Sequence, residues 1–490
     1  MACWAPLIIP TDGLDYLNSA YTLAHGGGFQ DFVPYKAPGL TVVLAACMGA
    51  TSHWAALLHW LHAALLTATA AITWLTARRV LGQGNLARVL AAGSAVVVGV
   101  HPVLLTYQSY LLRECAGTLL VPLAAWLIVR HAQVQPTGAR ALVRVLLLGV
   151  VCGVGALYRE NFQTILLLGP LLLGWAAVRN PHARPRAAIR ALGAAALAAA
   201  VSMATMAPWL FWMHRHYHCW SVTTPKTQFN RAINAWSNGL IDGTELPGLT
   251  RGSSDYNYIA QAVLLKGIVE RAPDEAMVDV VIDALTHKPE ETSDLCAGLV
   301  RTAMSRNPTH AARDMGVAAL SLSGLRPPNH PAANANAWLA LPLRGLAPPG
   351  STNYNFNVES ILAHSRFTPR RARFDPTLAQ SRVGLDGVTG SRGSAVFDAC
   401  FTASERARPV LAILFLLGCM AAALRRSVEA GALAILVLAN VLGAAVLMMT
   451  AVDRFAAPMI PLMVLVAVYG IQSLCDWGKK KAGVAPATPA

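Results

Sequence analysis

The chain has 490 residues, 55% of them hydrophobic and 13% charged, with a mean hydropathy of +0.45. Soluble domains carry about 25% charged residues, so this depletion, with its recurrent long apolar runs, excludes an ordinary soluble enzyme and indicates a membrane protein. The net charge of +14 does not mark a nucleic-acid binder, because residues 214–408 nearly balance at 20 Lys/Arg against 17 Asp/Glu and the surplus sits in short loops between apolar segments.

At the start of the chain, Met1 to Pro10 is too short to cross a bilayer. It also lacks the basic n-region and small-residue cleavage site of a signal peptide. Residues 4–10 could be the outer end of a helix encoded upstream. A helix is expected over 14–24, and the apolar stretch 39–50, entered through Pro38-Gly39, reads as an interfacial or re-entrant helix. Apolar helices of spanning or near-spanning length follow at 55–77, 86–106, 108–130, 142–158, 161–178 and 187–213. Three more lie at 409–424, 430–450 and 455–475.

Between the two groups, 214–255 is mixed in texture, 256–322 reads as helical, and 326–357 is Pro/Asn/Gly-rich loop. The basic cluster Arg366, Arg370, Arg371 and Arg373 is either a solvated loop or a contact for a lipid phosphate. Nine cysteines show no C-x-x-C spacing, which argues against a zinc site or a disulfide framework. Any pair among Cys219, Cys296 and Cys400 could still bridge. Trp and His at 53–62, and the alternating His214, His216 and His218, read as interfacial belts ahead of metal ligands.

The loops fix an orientation. One set carries Arg78, Arg79, Arg88, Arg130, Arg140, Arg144, Arg179, Arg184, Arg186, Arg190, Arg425, Arg426 and Lys479–Lys481 against only Glu429 and Asp476. The opposite set carries Lys36, Arg113, Arg159 and Arg454 against Asp12, Asp15, Asp31, Glu114, Glu160 and Asp453. The basic set is therefore expected on the cytoplasmic side. The resulting organisation is an all-α polytopic membrane protein. It has an extracytoplasmic first loop (1–54), a bundle of about six spans (55–213) and a long, mainly helical extracytoplasmic loop (214–408). Three further spans (409–478) and a cytoplasmic tail (479–490) complete it.

That sidedness gives the scattered charges a meaning. Asp12 and Tyr16, four apart, share a helix face, and a carboxylate beside a ring at a membrane surface suits a general base, although Asp12 could equally cap its helix. Glu114, after Arg113, reads as one turn inside the apolar helix 108–130, where an ionisable group is costly and implies function. Arg159-Glu160 and Asp453-Arg454 form two further doublets at span ends. Topology brings all of them to one membrane face, where carboxylates can bind a metal or take a proton and guanidinium groups can hold a phosphate.

Several segments resemble the first outer loop and helix ends of GT-C glycosyltransferases. They are Asp12-x-x-x-Tyr16, Gly27-Gly28-Phe29, Lys36-x-Pro38-Gly39, His101-Pro102 before Glu114, Arg159 after a helix, Ala207-Pro208-Trp209 and Arg454-Phe455. The nearest group is glycosyltransferase family 39, with its protein O-mannosyltransferases and aminoarabinose transferases; the resemblance covers residues 5–220 and 440–475. It implies a GT-C-like helix bundle in a bacterial cytoplasmic (inner) membrane, with the site facing the periplasm or exterior. It also implies inverting transfer of a hexosyl or pentosyl unit from a polyprenyl-phosphate sugar to an acceptor hydroxyl on a protein, lipid or envelope glycan. Asp12 would be the base. Glu114 would lie near the donor phosphate or a divalent metal, Mg or Mn. Arg159 and Arg454 would hold the leaving lipid phosphate and Lys36 would contact it, with Tyr16, Arg113, Glu160 and Asp453 in support. The chain departs from the family in having Gly13 where many members have a second acid, and Lys36 where Arg is usual. The rival reading is a multi-pass transporter or lipid flippase, a class that commonly shows internal repeats and polar groups near the midplane.

Overall fold

The structure is a computed structural model. It describes residues 11–29, 32–109, 111, 113–133, 138–159, 162–179, 187–246, 255–271, 277–325, 392–448 and 457–481. Two short helices, α1 (Thr11–Ala24) and α2 (Gly39–Ala50), precede α3 (Trp54–Val80), α4 (Asn85–Gly99), α5 (Pro102–Ser109), α6 (Glu114–Gln133), α7 (Ala139–Tyr158), α8 (Gln163–Arg179) and α9 (Ala187–Tyr217). A second group follows: α10 (Thr227–Ser237), α11 (Asp255–Leu265), α12 (Met277–His287), α13 (Pro289–Arg306) and α14 (Pro308–Leu322). The chain then returns through α15 (Arg392–Leu424), α16 (Val428–Met448), a 3₁₀ turn (Ala457–Met459) and α17 (Ile460–Lys481). Among the described residues every regular element is helical.

Among the described residues seven helical stretches are long and apolar enough to cross a membrane. They lie in α3, α6, α7, α9, α15 and α16, with the 3₁₀ turn continuing into α17 as the seventh. The chain is thus a polytopic all-α membrane protein. Two expected spans fall short: α4 has 15 residues, and the apolar part of α8 is Thr164–Trp175. The helix expected over 86–106 breaks after Gly99 and restarts at Pro102. Proline has no N–H to continue a helix, but it fits a first helical position. The span expected over 108–130 begins only at Glu114, so this residue opens α6 and does not lie a turn inside it. α9 runs on to Tyr217, so the helix passes the expected limit at 213.

Lipid offers no hydrophobic drive between helices, so close approach of small residues does much of the packing. A Cβ on Gly149 of α7 would lie 2.7 Å from the Ala198 carbonyl of α9, and Ser202 donates to the Gly149 carbonyl at 2.9 Å. α15 crosses α17 at Gly418 and Gly470, where a Cβ on Gly418 would strike the Val466 carbonyl. α6 and α17 are the most enclosed spans. The second group of helices has its own core around Phe229, Tyr258, Val263, Val281, Cys296 and Val300. Cys219 and Cys296 are free, buried thiols; the side chain of Cys400 lies outside the described residues.

The basic loops meet at one end of the bundle. Gln133 donates to the Arg79 carbonyl at 2.9 Å, Arg144 to the Arg130 carbonyl at 3.3 Å, and Gln472 to the Leu81 carbonyl at 2.9 Å. Arg425 pairs with Asp476 at 3.1 Å at the same end. The start of α6 and the end of α7 lie at the other end.

Candidate active site at the opposite end

The scaffold of this end is an apolar cluster that ties together Tyr16, Leu17 and Ala20 of α1, Leu40 and Leu44 of α2, Leu58 of α3, and Leu111 just before α6. Tyr158, the last residue of α7, packs on its edge. Gly39 is required there. A Cβ at this position would stand 2.5 Å from the Tyr158 ring, so only glycine lets the start of α2 reach the end of α7. The next residue, Arg159, caps α7 in an extended conformation (φ −155°, ψ 130°). That turn points its side chain into the bundle.

Arg159 is 2% exposed, and Glu114 is among its partners, with Nη1 3.8 Å from a Glu114 Oε1 that is equally enclosed. The second Glu114 oxygen, Oε2, is buried and accepts no hydrogen bond. Glu114 and Arg159 are 45 positions apart, and each sits at a helix terminus facing the other. Thr118 donates to the Glu114 carbonyl at 2.9 Å and Cys115 to the Tyr107 carbonyl at 3.1 Å, which fixes the first turn of α6. Pro458 of the 3₁₀ turn packs close to Gly117, one turn further on.

Lys36, 5% exposed, lies in the same region, its ammonium 5.6 Å from the centre of the Tyr16 ring and 5.7 Å from that of Tyr35. Tyr16 is itself buried. The Gly-Gly-Phe stretch is anchored through aromatics: Phe29 and Phe32 stand 5.2 and 4.9 Å from Trp209 of α9, whose indole donates to the Val222 carbonyl. The structure thus brings Lys36, Tyr16, Glu114 and Arg159 to one end, with Arg113 in the turn before α6. Asp12 lies in the first turn of α1, inside the helix and not before it as a cap would be. Its side chain is outside the described residues, as are Glu160, Asp453 and Arg454 entirely. The cluster Arg366–Arg373 is also outside them.

Two features were not anticipated. Lys226, far along the chain at the foot of α10, places its ammonium 5.0 Å from the Tyr35 ring, and Thr224 donates to the Pro34 carbonyl at 2.9 Å. The second helical group therefore touches the site loop directly. No local pattern around residue 226 signals this, because it depends on a long-range docking. The histidines of α3 are the other case. His59 and His62 are buried, and His62 Nδ1 lies 3.1 Å from the Gln108 carbonyl, so they face the bundle and not an interfacial belt. Trp60 between them is exposed, as a belt residue would be. His214 and His216 stack on Trp220 and Trp212.

Among the described residues no three His, Cys, Asp or Glu side chains stand together. Glu114 offers one carboxylate, with a guanidinium already against it. The other acids expected at this end, Asp12, Glu160 and Asp453, have side chains outside the described residues.

Neither a protein-family model nor a curated protein matches the chain. Two solved structures are similar in course. ArnT from Cupriavidus metallidurans in the apo state is 13% identical, with a TM-score of 0.35 over 96% of this chain and 74% of that one. The same protein bound to undecaprenyl phosphate is 13% identical, with a TM-score of 0.36 over 98% and 75%. At these scores the likeness carries no weight for the chemistry, which stands on this chain's own side chains.

Proposed function

We propose that the protein is a membrane glycosyltransferase that moves a sugar from a polyprenyl-phosphate donor to an acceptor hydroxyl on the extracytoplasmic face of a bacterial inner membrane. The observation that carries this reading is the enclosed Arg159–Glu114 pair at the end of the bundle away from the basic loops, with Lys36 nearby. A fixed guanidinium and an ammonium at the lipid–water boundary suit a phosphate whose hydrocarbon tail lies among the helices.

In this reading the Asp12 carboxylate takes the proton of the acceptor hydroxyl. The freed oxygen attacks the anomeric carbon opposite the phosphate, the bond from carbon to phosphate oxygen breaks, and configuration inverts. Negative charge then grows on the departing lipid phosphate, where Arg159, Lys36 and Arg454 stabilise it. Glu114 holds Arg159 in place, and Tyr16 supports Lys36. Arg113, Glu160 and Asp453 complete the polar end. Among the described residues Lys36, Glu114 and Arg159 stand at one end of the bundle, which supports transfer over transport.

The test is transfer from a labelled polyprenyl-phosphate sugar by the purified full-length protein, with unlabelled undecaprenyl phosphate as competitor. Asp12→Asn is expected to abolish transfer while expression and membrane insertion persist. Undiminished transfer by that variant would refute the assigned base. Failure of the wild-type protein to use any polyprenyl-phosphate sugar would refute the whole reading.

A further inference from the structure

The second helical group contains a cavity of about 340 Å³ between α10 and α13. Small-molecule sites occupy roughly 300–1,000 Å³. Gln228 and Arg231, three apart, share the face of α10 that lines it; Ala297, Arg301, Met304 and Ser305 form the facing stripe of α13.

Charge in this region is unevenly spent. Arg306, one turn beyond the cavity, takes up the nearby acids and pairs with Asp242 at 3.2 Å and Glu245 at 2.5 Å. Arg231 has no such partner among the described residues: its Nη2 meets the Met304 sulfur at 3.1 Å, a weak acceptor, and its shielded Nε makes no hydrogen bond there. The Gln228 Oε1 is likewise shielded and accepts none. What the cavity offers a ligand is the charge of Arg231 and Arg301, which no acid among the described residues pairs with.

We propose that this cavity binds an anionic sugar headgroup, its oxyanion held between Arg231 and Arg301 and its ring edge against Gln228 and Ser305. Guanidinium groups on the two facing walls match a phosphate or carboxylate held between them, and the Gln228 amide with Ser305 adds polar lining for a sugar ring edge. The cavity lies within α10 and α13 and uses none of the residues at the bundle end, so binding here does not depend on transfer.

Titration calorimetry on the full-length protein tests it, with glucose 6-phosphate, glucose, and nanodiscs with or without phosphatidic acid as probes. Glucose 6-phosphate is expected to bind and glucose not. Arg301→Gln, a change at an exposed position that leaves the core intact, should weaken binding about tenfold or more, as loss of a charge-assisted bond does. Arg231→Met should do the same. Competition by phosphatidic acid nanodiscs would identify a lipid headgroup as the source of the anion, and its absence a soluble or glycan-borne one. The proposal is overturned if neither anionic probe binds, if glucose binds equally well, or if binding survives Arg301→Gln unchanged.

Discussion

Replacing Glu114 by Gln removes one charge of an enclosed pair while keeping its shape. At 3.8 Å and an effective dielectric near 20, the attraction to Arg159 is about 4 kcal/mol. In the intact protein much of this is offset by the dehydration of both ions, but in the variant Arg159 stays enclosed and loses a partner. Loss of one member of a buried pair costs about 3–5 kcal/mol, so unfolding of Glu114→Gln in detergent should begin many degrees earlier. The double variant Glu114→Leu/Arg159→Met removes both charges and should regain most of that stability. Its transfer from a labelled polyprenyl-phosphate sugar, assayed well below the unfolding midpoint, should nevertheless stay far below wild type, because the enclosed guanidinium that meets the phosphate is gone. A double variant that is stable and transfers at the wild-type rate would show that the pair only holds helices together. A Glu114→Gln protein as stable as wild type would refute the charge arithmetic.

Other expectations concern packing, docking and sidedness. Gly418→Ala puts a methyl group against the Val466 backbone, which cannot yield as a side chain could, and should destabilise the α15–α17 crossing by at least about 1–3 kcal/mol in thermal unfolding; an unchanged midpoint would contradict this geometry. Lys226→Met removes the cation over Tyr35 and should raise KM for the lipid donor more than it lowers kcat, whereas equal kinetics would detach the second helical group from the site. Cys475 is the exposed thiol among the described residues, next to the lysines that end α17. With Cys3 and Cys400 replaced by Ser, a membrane-impermeant maleimide should label it only after cells are permeabilised, and labelling of intact cells would reverse the proposed orientation. Burial pushes the Cys296 thiol up to about 12, so it stays protonated at pH 8 and should react only on unfolding; rapid labelling of the folded protein would show that the α10–α13 core is open.

Membrane class and helix content were legible because the bilayer demands long apolar segments, and α3, α7 and α16 fall within a few residues of the expected ranges. Charge sorting was legible for a similar reason. Arg79, Arg130, Arg144 and Arg425 do gather at one end, since alternating loops leave little choice. What the pattern missed lies where hydropathy is blind to backbone chemistry. Residues 86–106 and 108–130 read as two apolar helices, yet the first breaks after Gly99 and restarts at Pro102 and the second begins only at Glu114, which moves Glu114 from a span interior to a helix start. His59 and His62 were misplaced because an amphipathic residue near a helix end has the same sequence signature whether it faces lipid or protein. Lys226 had no signature at all.

The apolar faces of α1 and α2 are buried against Leu58, Leu111 and Tyr158. That contact makes α1 and α2 a wall at this end of the bundle, with the Lys36 ammonium over the Tyr16 ring. Gly39 sets the spacing, because it lets α2 touch the Tyr158 ring directly before Arg159 turns inward. A larger residue there would push the wall outward and separate Lys36 from the Arg159–Glu114 pair without altering any of the charged groups. The charges could have been read from the sequence alone, but the distance between them is set by an uncharged residue with no side chain.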